Sequence, residues 1–330
     1  MVTDFTDIPR TGEPAIAARL FAWGMLGFLF AFLVNNALEV GFGLPGARQV
    51  LTGNGAAGAW VNMAVYLVSI ALAAVYVLGR RATSLRWDAM AIHRFNVYLI
   101  RACFWSVLFI GVADSAIAFM RVEGLLEIFF SQDTTKLFAK SRWVAPYIHI
   151  PLLIAGFVMA AFTRTLGFTW LALMIVMAEL IIVLSRFVFS YEQALMGDLV
   201  RYWYAALFLF ASAYTLFEEG HVRVDVLYAG FGRTTRGFVN AFGSIVLGMS
   251  TTWVILMVGL SGKTSIINSP VVNFEISQAG AVGMFIKYQM AAFLGIFAIT
   301  MLIQFVSYFL EAVADKRDEP GHREVAPAAH

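Results

Sequence analysis

Long apolar runs, broken by short charged or Gly/Pro-bearing stretches, dominate the chain. Runs near 16–38, 58–79, 97–120, 144–163, 167–189, 199–217, 238–260 and 288–312 each reach the length that a helix needs to cross a hydrocarbon core, about 20 residues. The pattern predicts an all-α, polytopic transmembrane bundle of about eight spans. Pro146 and Pro151 sit in the first turns of the fourth run. Membrane helices tolerate proline where neighbours satisfy the freed carbonyls, and a re-entrant segment is the alternative. Stretches 121–140, 224–237 and 270–287 mix aromatic or branched residues with charges, and are expected to lie at the interface as amphipathic helices. The tail from Asp315 is charged, then Ala/Pro-rich, and is expected to be unstructured.

Lys/Arg bias in the short loops orients the bundle. Arg80, Arg81, Arg86 and Arg94 mark the loop after the second run as cytoplasmic, together with Arg223, Arg233, Arg236 and the tail. Both termini are then expected inside, and the loops around Arg48, Tyr191 and Lys263 outside. The 121–143 loop falls outside although it carries Arg121, Lys136, Lys140 and Arg142. Asp4, Asp7 and Glu13 precede the first run, where a cleaved signal peptide would be positive.

Composition agrees with this picture. Of 330 residues, 60% are hydrophobic and 13% charged, about half the charged share of a soluble domain. The net charge of +2 comes without a basic, aromatic-laced stripe, so nucleic acid is not an expected partner. The single cysteine, Cys103, excludes a disulfide framework within the chain. It also disfavours thiolate metal sites. Among the histidines only His149 falls inside a span, which disfavours bis-histidine haem. Phosphate loops, nucleophile elbows and HExxH motifs are absent, so no catalytic or metal-ligating residue is assigned.

Ionisable residues within spans are costly and count as functional candidates. Asp114 lies in the third run, and Glu179 and Arg186 in the fifth. The last two share a helix face about 10 Å apart. Pairing within the bundle or with a partner is one reading of this charge network; an ion or proton relay is the other. Arg186 is expected to meet a carboxylate, either Asp114 or Asp198.

The most distinctive texture begins at Arg186-Phe187-Val188-Phe189. Asp198 and Arg201 open the next run, and Gly220-His221-Val222-Arg223-Val224-Asp225 follows it. Gly220 is placed to end a helix, and His221, Arg223 and Asp225 alternate with valines. A tidy turn at headgroup level and a specific docking strip both fit. This order, with Arg233 and Arg236 before the seventh run and Pro270 in the following segment, resembles the DctQ-like small membrane subunit of TRAP (tripartite ATP-independent periplasmic) transporters. The resemblance covers about residues 165–313. It departs at Asp198, where the family usually has Glu, and at Glu218–Glu219. It divides the chain into a four-helix extension (1–164), a small-permease domain (165–313) and a tail (314–330).

The resemblance implies a non-catalytic scaffold in a bacterial inner membrane, beside a large elevator-type subunit. That partner would bind substrate and sodium, leaving this chain without a cofactor. A periplasmic receptor would deliver a carboxylate-bearing solute. The competing reading is a self-sufficient transporter or channel using Asp114 and Glu179. Transporters of that kind break helices in matching halves, and no matched pair is visible here.

Overall fold

The computed structural model describes residues 8–53, 55–165, 167–218, 228, 230–277 and 282–322. Eight helices within it are long and apolar enough to cross a membrane. They are α1 (Ile16–Gly41), α2 (Ala57–Gly79), α3 (Leu85–Val122), α4 (Ser141–Phe162), α5 (Phe168–Phe189), α6 (Ala194–Phe217), α7 (Arg233–Gly259) and α8 (Lys287–Lys316). The protein is thus an all-α, multi-pass membrane bundle. The fourth run forms an unbroken helix in spite of its prolines. Its start is wound as a π-turn over Ala145–His149, where the Ile150 N–H reaches back to the Ala145 carbonyl. That wider turn accommodates Pro146 and re-aims His149.

Two compact units divide the chain. One comprises Met1–Asn96, Ala213–Lys263 and Ala298–His330; the other comprises Val97–Ser212 and Thr264–Phe297. The division points fall inside α3, α6 and α8. At 38 residues, α3 is about 57 Å long, well beyond the roughly 30 Å hydrocarbon core.

In the first unit the seam between α3 and α8 is polar and antiparallel. Arg86 reaches Glu311 at 2.6 Å and Asp315 at 2.7 Å. One turn on, Ser307 donates to the Ala89 carbonyl at 2.8 Å. His93 Nδ1 meets Gln304 Oε1 at 2.9 Å, and Asn96 donates to the Thr300 carbonyl at 2.9 Å. Positions 89, 93 and 96 on one helix, and 300, 304 and 307 on the other, both follow i, i+4, i+7 spacing. That spacing keeps each set on one face. A separate buried pair ties α1 to the start of α3: Arg19 Nε meets Asp88 Oδ2 at 2.7 Å. Trp23 Nε1 donates to the same oxygen at 2.9 Å.

Residues 315–322 are folded rather than trailing, contrary to expectation. Arg86 also donates to the carbonyls of Glu319 and Pro320. Arg233 pairs with Asp318 at 2.7 Å. Burial pushes the Glu319 carboxyl up from its ordinary range, against the pull of Arg317 and Arg86.

Small residues set helix spacing where the hydrophobic effect gives no drive between helices. A Cβ at Gly237 on α7 would run into the α8 backbone at Lys316 N and lie 2.7 Å from Ala312 O. At Gly248, eleven residues on, a Cβ would sit 2.5 Å from the Phe305 ring. Gly248 lies within the π-turn Ser244–Met249. On α1, Trp253 from α7 donates to Met25 Sδ at 3.0 Å, between Phe28 and Phe32.

In the second unit, aromatic side chains form the core. Phe210 packs edge-on to Phe104 and Phe293, and Trp203 donates to the Val107 carbonyl at 3.2 Å. Arg101 caps α4 by donating to the carbonyls of Ala160 and Thr163, satisfying groups that every helix end leaves open.

The interfacial expectations need correction. Stretch 121–140 contains two short helices, Leu126–Phe129 and Gln132–Phe138, with Ile128 and Phe129 exposed. Of stretch 224–237, Arg233–Gly237 is the first part of α7, while 224–227 and 229 lie outside the described residues. Of stretch 270–287, 270–273 closes the short helix Asn268–Asn273, 274–277 and 283–286 are non-helical, 278–281 lie outside the described residues, and Gly283–Ile286 is buried. Its backbone polar groups must therefore be met by other protein atoms.

Over-packing a well-filled core costs about 1–3 kcal/mol, so Gly237→Val should lower the melting temperature of the purified protein. Gly243→Ala, where an added Cβ meets nothing within 4 Å, should leave it unchanged. Equal melting of both variants would refute the close α7–α8 contact.

Candidate functional site

The densest polar cluster in the second unit surrounds Asp114. Both it and His149 are buried. The π-turn carries His149 Nε2 to 3.2 Å from Asp114 Oδ1. The other carboxylate oxygen accepts the backbone N–H of Phe285 at 2.6 Å. With His149 donating from Nε2, its Nδ1 is the acceptor, facing the Tyr288 hydroxyl at 2.7 Å and Gln289 Nε2 at 2.9 Å. Gln289 also donates to Tyr288 at 3.1 Å, and the Tyr202 hydroxyl donates to Gln289 Oε1. A directed chain of hydrogen bonds therefore runs Tyr202–Gln289–Tyr288–His149–Asp114, with Phe285 N–H closing it.

A second carboxylate serves the same irregular segment. Asp198, on the first turns of α6, accepts the Met284 N–H at 3.1 Å. Arg121 donates to the Gly283 carbonyl at 2.5 Å and to the Phe138 carbonyl at 3.2 Å. Its guanidinium lies 4.2 Å from the Phe285 ring centroid. Asp114, Asp198 and Arg121 thus satisfy consecutive backbone groups of Gly283–Phe285. Non-helical backbone at membrane depth is tolerated only when protein or water does this.

An acid, a histidine and a hydroxyl stand in sequence; Tyr288 and His149 are buried, with their rings at an interplanar angle of 17°. Among the described residues no group of His, Cys, Asp and Glu could hold a metal ion.

The other expected site residues fall in different places. Arg186 is 63% exposed and lies 3.7 Å from Glu192. Its carboxylate partner is therefore neither Asp114 nor Asp198, because it points away from the core that holds them. Glu179 is exposed on α5. Asp114, Glu179 and Arg186 accordingly do not form a buried charge network, and Asp114 and Glu179 do not join into a path. Arg201 is exposed and lies 3.8 Å from Asp198. Gly220, His221, Arg223 and Asp225 lie outside the described residues.

Sequence reasoning missed Arg19, Asp88, His93, Asn96 and Gln304, and read Arg86 only as a loop charge. The i, i+4, i+7 spacing of 89, 93 and 96 was the available signal. At the link between α5 and α6, Glu123 accepts from Tyr191 and Gln193. That contact raises the Tyr191 hydroxyl above its ordinary range.

Comparison with known families places this geometry. Residues 171–314 match the family described as Tripartite ATP-independent periplasmic transporters, DctQ component. Residues 171–314 are a DctQ domain. The match runs from the first turn of α5 almost to the end of α8. No curated protein and no solved structure matches the chain. The DctQ domain contains Asp198 and the Gly283–Ile286 segment. Asp114, Arg121 and His149, which hold that segment or its neighbours, precede the domain in the chain.

Leaving a buried polar group unsatisfied costs about 1–3 kcal/mol. His149→Ala strands Asp114 Oδ1 and takes the acceptor from the Tyr288 O–H, and should lower thermal stability by about that much. Arg201→Ala should have no measurable effect. A His149→Ala protein that melts like the parent would show the hydrogen-bond chain to be dispensable.

Proposed function

We propose that this chain is the small permease subunit of a TRAP transporter, a fixed membrane scaffold beside a large elevator-type subunit. The DctQ match across α5–α8 carries this reading. The large subunit binds sodium and a carboxylate-bearing solute, a periplasmic receptor delivers that solute, and the assembly sits in a bacterial inner membrane. The scaffold role is supported by how the buried polar groups are spent. Arg19, Arg86, Asp88, Asp114 and His149 are engaged in helix–helix or helix–backbone bonds, which stiffen a bundle. An elevator needs one part that stays still while another slides, and a bundle braced in this way suits the still part.

Two experiments test the proposal. Reconstituted in proteoliposomes with a sodium gradient, the chain alone should accumulate no solute, while the chain with its large subunit and receptor should. Robust uptake by the chain alone would sink the scaffold reading. The proposed topology puts both termini, the loop at Ala82 and the first turn of α7 at Thr234 in the cytoplasm, and Thr52 outside. In a Cys103→Ser background, a membrane-impermeant thiol reagent applied to intact cells should label Thr52→Cys and spare Ala82→Cys and Thr234→Cys. The reverse pattern would invert the orientation.

A further inference from the structure

We propose that the face of α5 centred on Glu179 is the docking surface for the large subunit, whose spanning helix brings a hydrogen-bond donor to the Glu179 carboxyl at mid-membrane. The proposal rests on the small-subunit reading above and assigns the face that reading leaves open.

Glu179 is the twelfth residue of the 22-residue α5, so it lies about 16 Å from either helix end, at the depth where a polar group is most costly in lipid. It is exposed. Among the described residues it takes part in no hydrogen bond or ion pair. Arg186, on the same face, pairs with Glu192 instead. Trp170 and Met174 line an apolar groove with Trp105, Phe109 and Leu152 of α3 and α4. At 100° per residue Glu179 projects about 180° from Trp170 and about 140° from Met174, so it points away from its own bundle. Val176, Val183 and Arg186 share its side and are exposed.

A comparison within the chain distinguishes a lipid face from a protein face. α2 and α5 are the two least buried spans, each with 11% of its apolar stretch buried. α2 carries no Asp, Glu, Lys, Arg or His over Ala57–Gly79, and its exposed Leu67 and Val75 suit acyl chains. α5 places a carboxyl group at its midpoint, where acyl chains offer no donor. A second copy of this chain is a poor occupant. An isologous pair about an axis along the membrane normal would bring Glu179 against Glu179 at equal depth. The occupant is therefore a different protein, with a cationic or amide donor on a spanning helix.

The full chain, co-expressed with a TRAP large membrane subunit, should carry a benzoyl-phenylalanine photocrosslinker at Val176 or Val183, and at Leu67 or Val75 for comparison. Crosslinks to the large subunit are expected from the α5 positions only. Glu179→Leu should raise the apparent Kd of the complex about tenfold, equivalent to about 1.4 kcal/mol. Glu179→Gln keeps an acceptor oxygen, and should raise it by less than about threefold. Neither substitution should change the melting of the isolated chain. Crosslinks from α2 alone, with unchanged affinity in Glu179→Leu, would overturn the docking face and leave the small-subunit reading standing. Crosslinks from α5 to a second copy would also overturn it. So would a Glu179→Leu chain that melts lower by itself, because Glu179 would then act within the bundle. Failure of the wild-type chain to associate with the large subunit would remove both readings together.

Discussion

The antiparallel polar seam between α3 and α8 is the constraint on which the first unit depends. Between two helices in lipid, sliding or rotating one against the other leaves hydrophobic burial nearly unchanged. Register must come from elsewhere. Here Arg86, Ala89, His93 and Asn96 meet Glu311/Asp315, Ser307, Gln304 and Thr300 in strict antiparallel order. Each interhelical hydrogen bond is worth only about 0.6 kcal/mol on average. The rungs form in one register only, however, so a slip by one turn breaks them all. Arg86 then extends the seam past the end of α8 by gathering the carbonyls of Glu319 and Pro320. This explains why the charged segment after α8 is folded.

The same logic, with higher stakes, governs the second unit. Gly283–Ile286 runs buried and non-helical just before α8 begins. Every backbone group there that finds no partner costs as much as a lost hydrogen bond. Asp114 and Asp198 take the amides, and Arg121 a carbonyl. The hydrogen-bond chain through His149 orients Asp114 for that task. The π-turn at Ala145–His149 is part of the same device, since the wider turn aims the ring at the carboxylate. Pro146 sits in the first positions of that turn without breaking the span.

The spans were legible because a membrane helix needs only length and apolarity, and both survive single-residue uncertainty. The α7 and α8 runs were underestimated at their ends because Arg233, Arg236, Asp315 and Lys316 read as loop charges. Counting Lys and Arg by loop also hid Arg86, whose role depends on partners more than two hundred residues away. The 270–287 stretch failed for another reason. Its aromatic and branched residues with scattered charges satisfy an amphipathic-helix pattern, but the buried backbone bonds that hold Gly283–Ile286 are invisible to side-chain patterning. The DctQ resemblance was carried partly by Gly220–Asp225, and the family match reaches across that stretch. The contacts of Gly220, His221, Arg223 and Asp225 lie outside the described residues.

Asp114 and Glu179 show where hydropathy stops being informative. Each is a lone acid in a run of apolar residues, and the two give the same signal in sequence. In a soluble helix the apolar stripe would reveal which acid faces inward. In lipid both faces are apolar, so inward and outward look alike. The structure separates them by their partners. Asp114 is closed in by a histidine and a backbone amide. Glu179 stands on a helix that is barely buried, and the described residues give it no hydrogen bond or ion pair. A carboxyl at that depth is costly in lipid, and among the described residues it meets no donor. The proposed docking face supplies one from outside the chain. It is consistent with this that α5 opens the DctQ domain while α2, equally exposed and free of charge, precedes it.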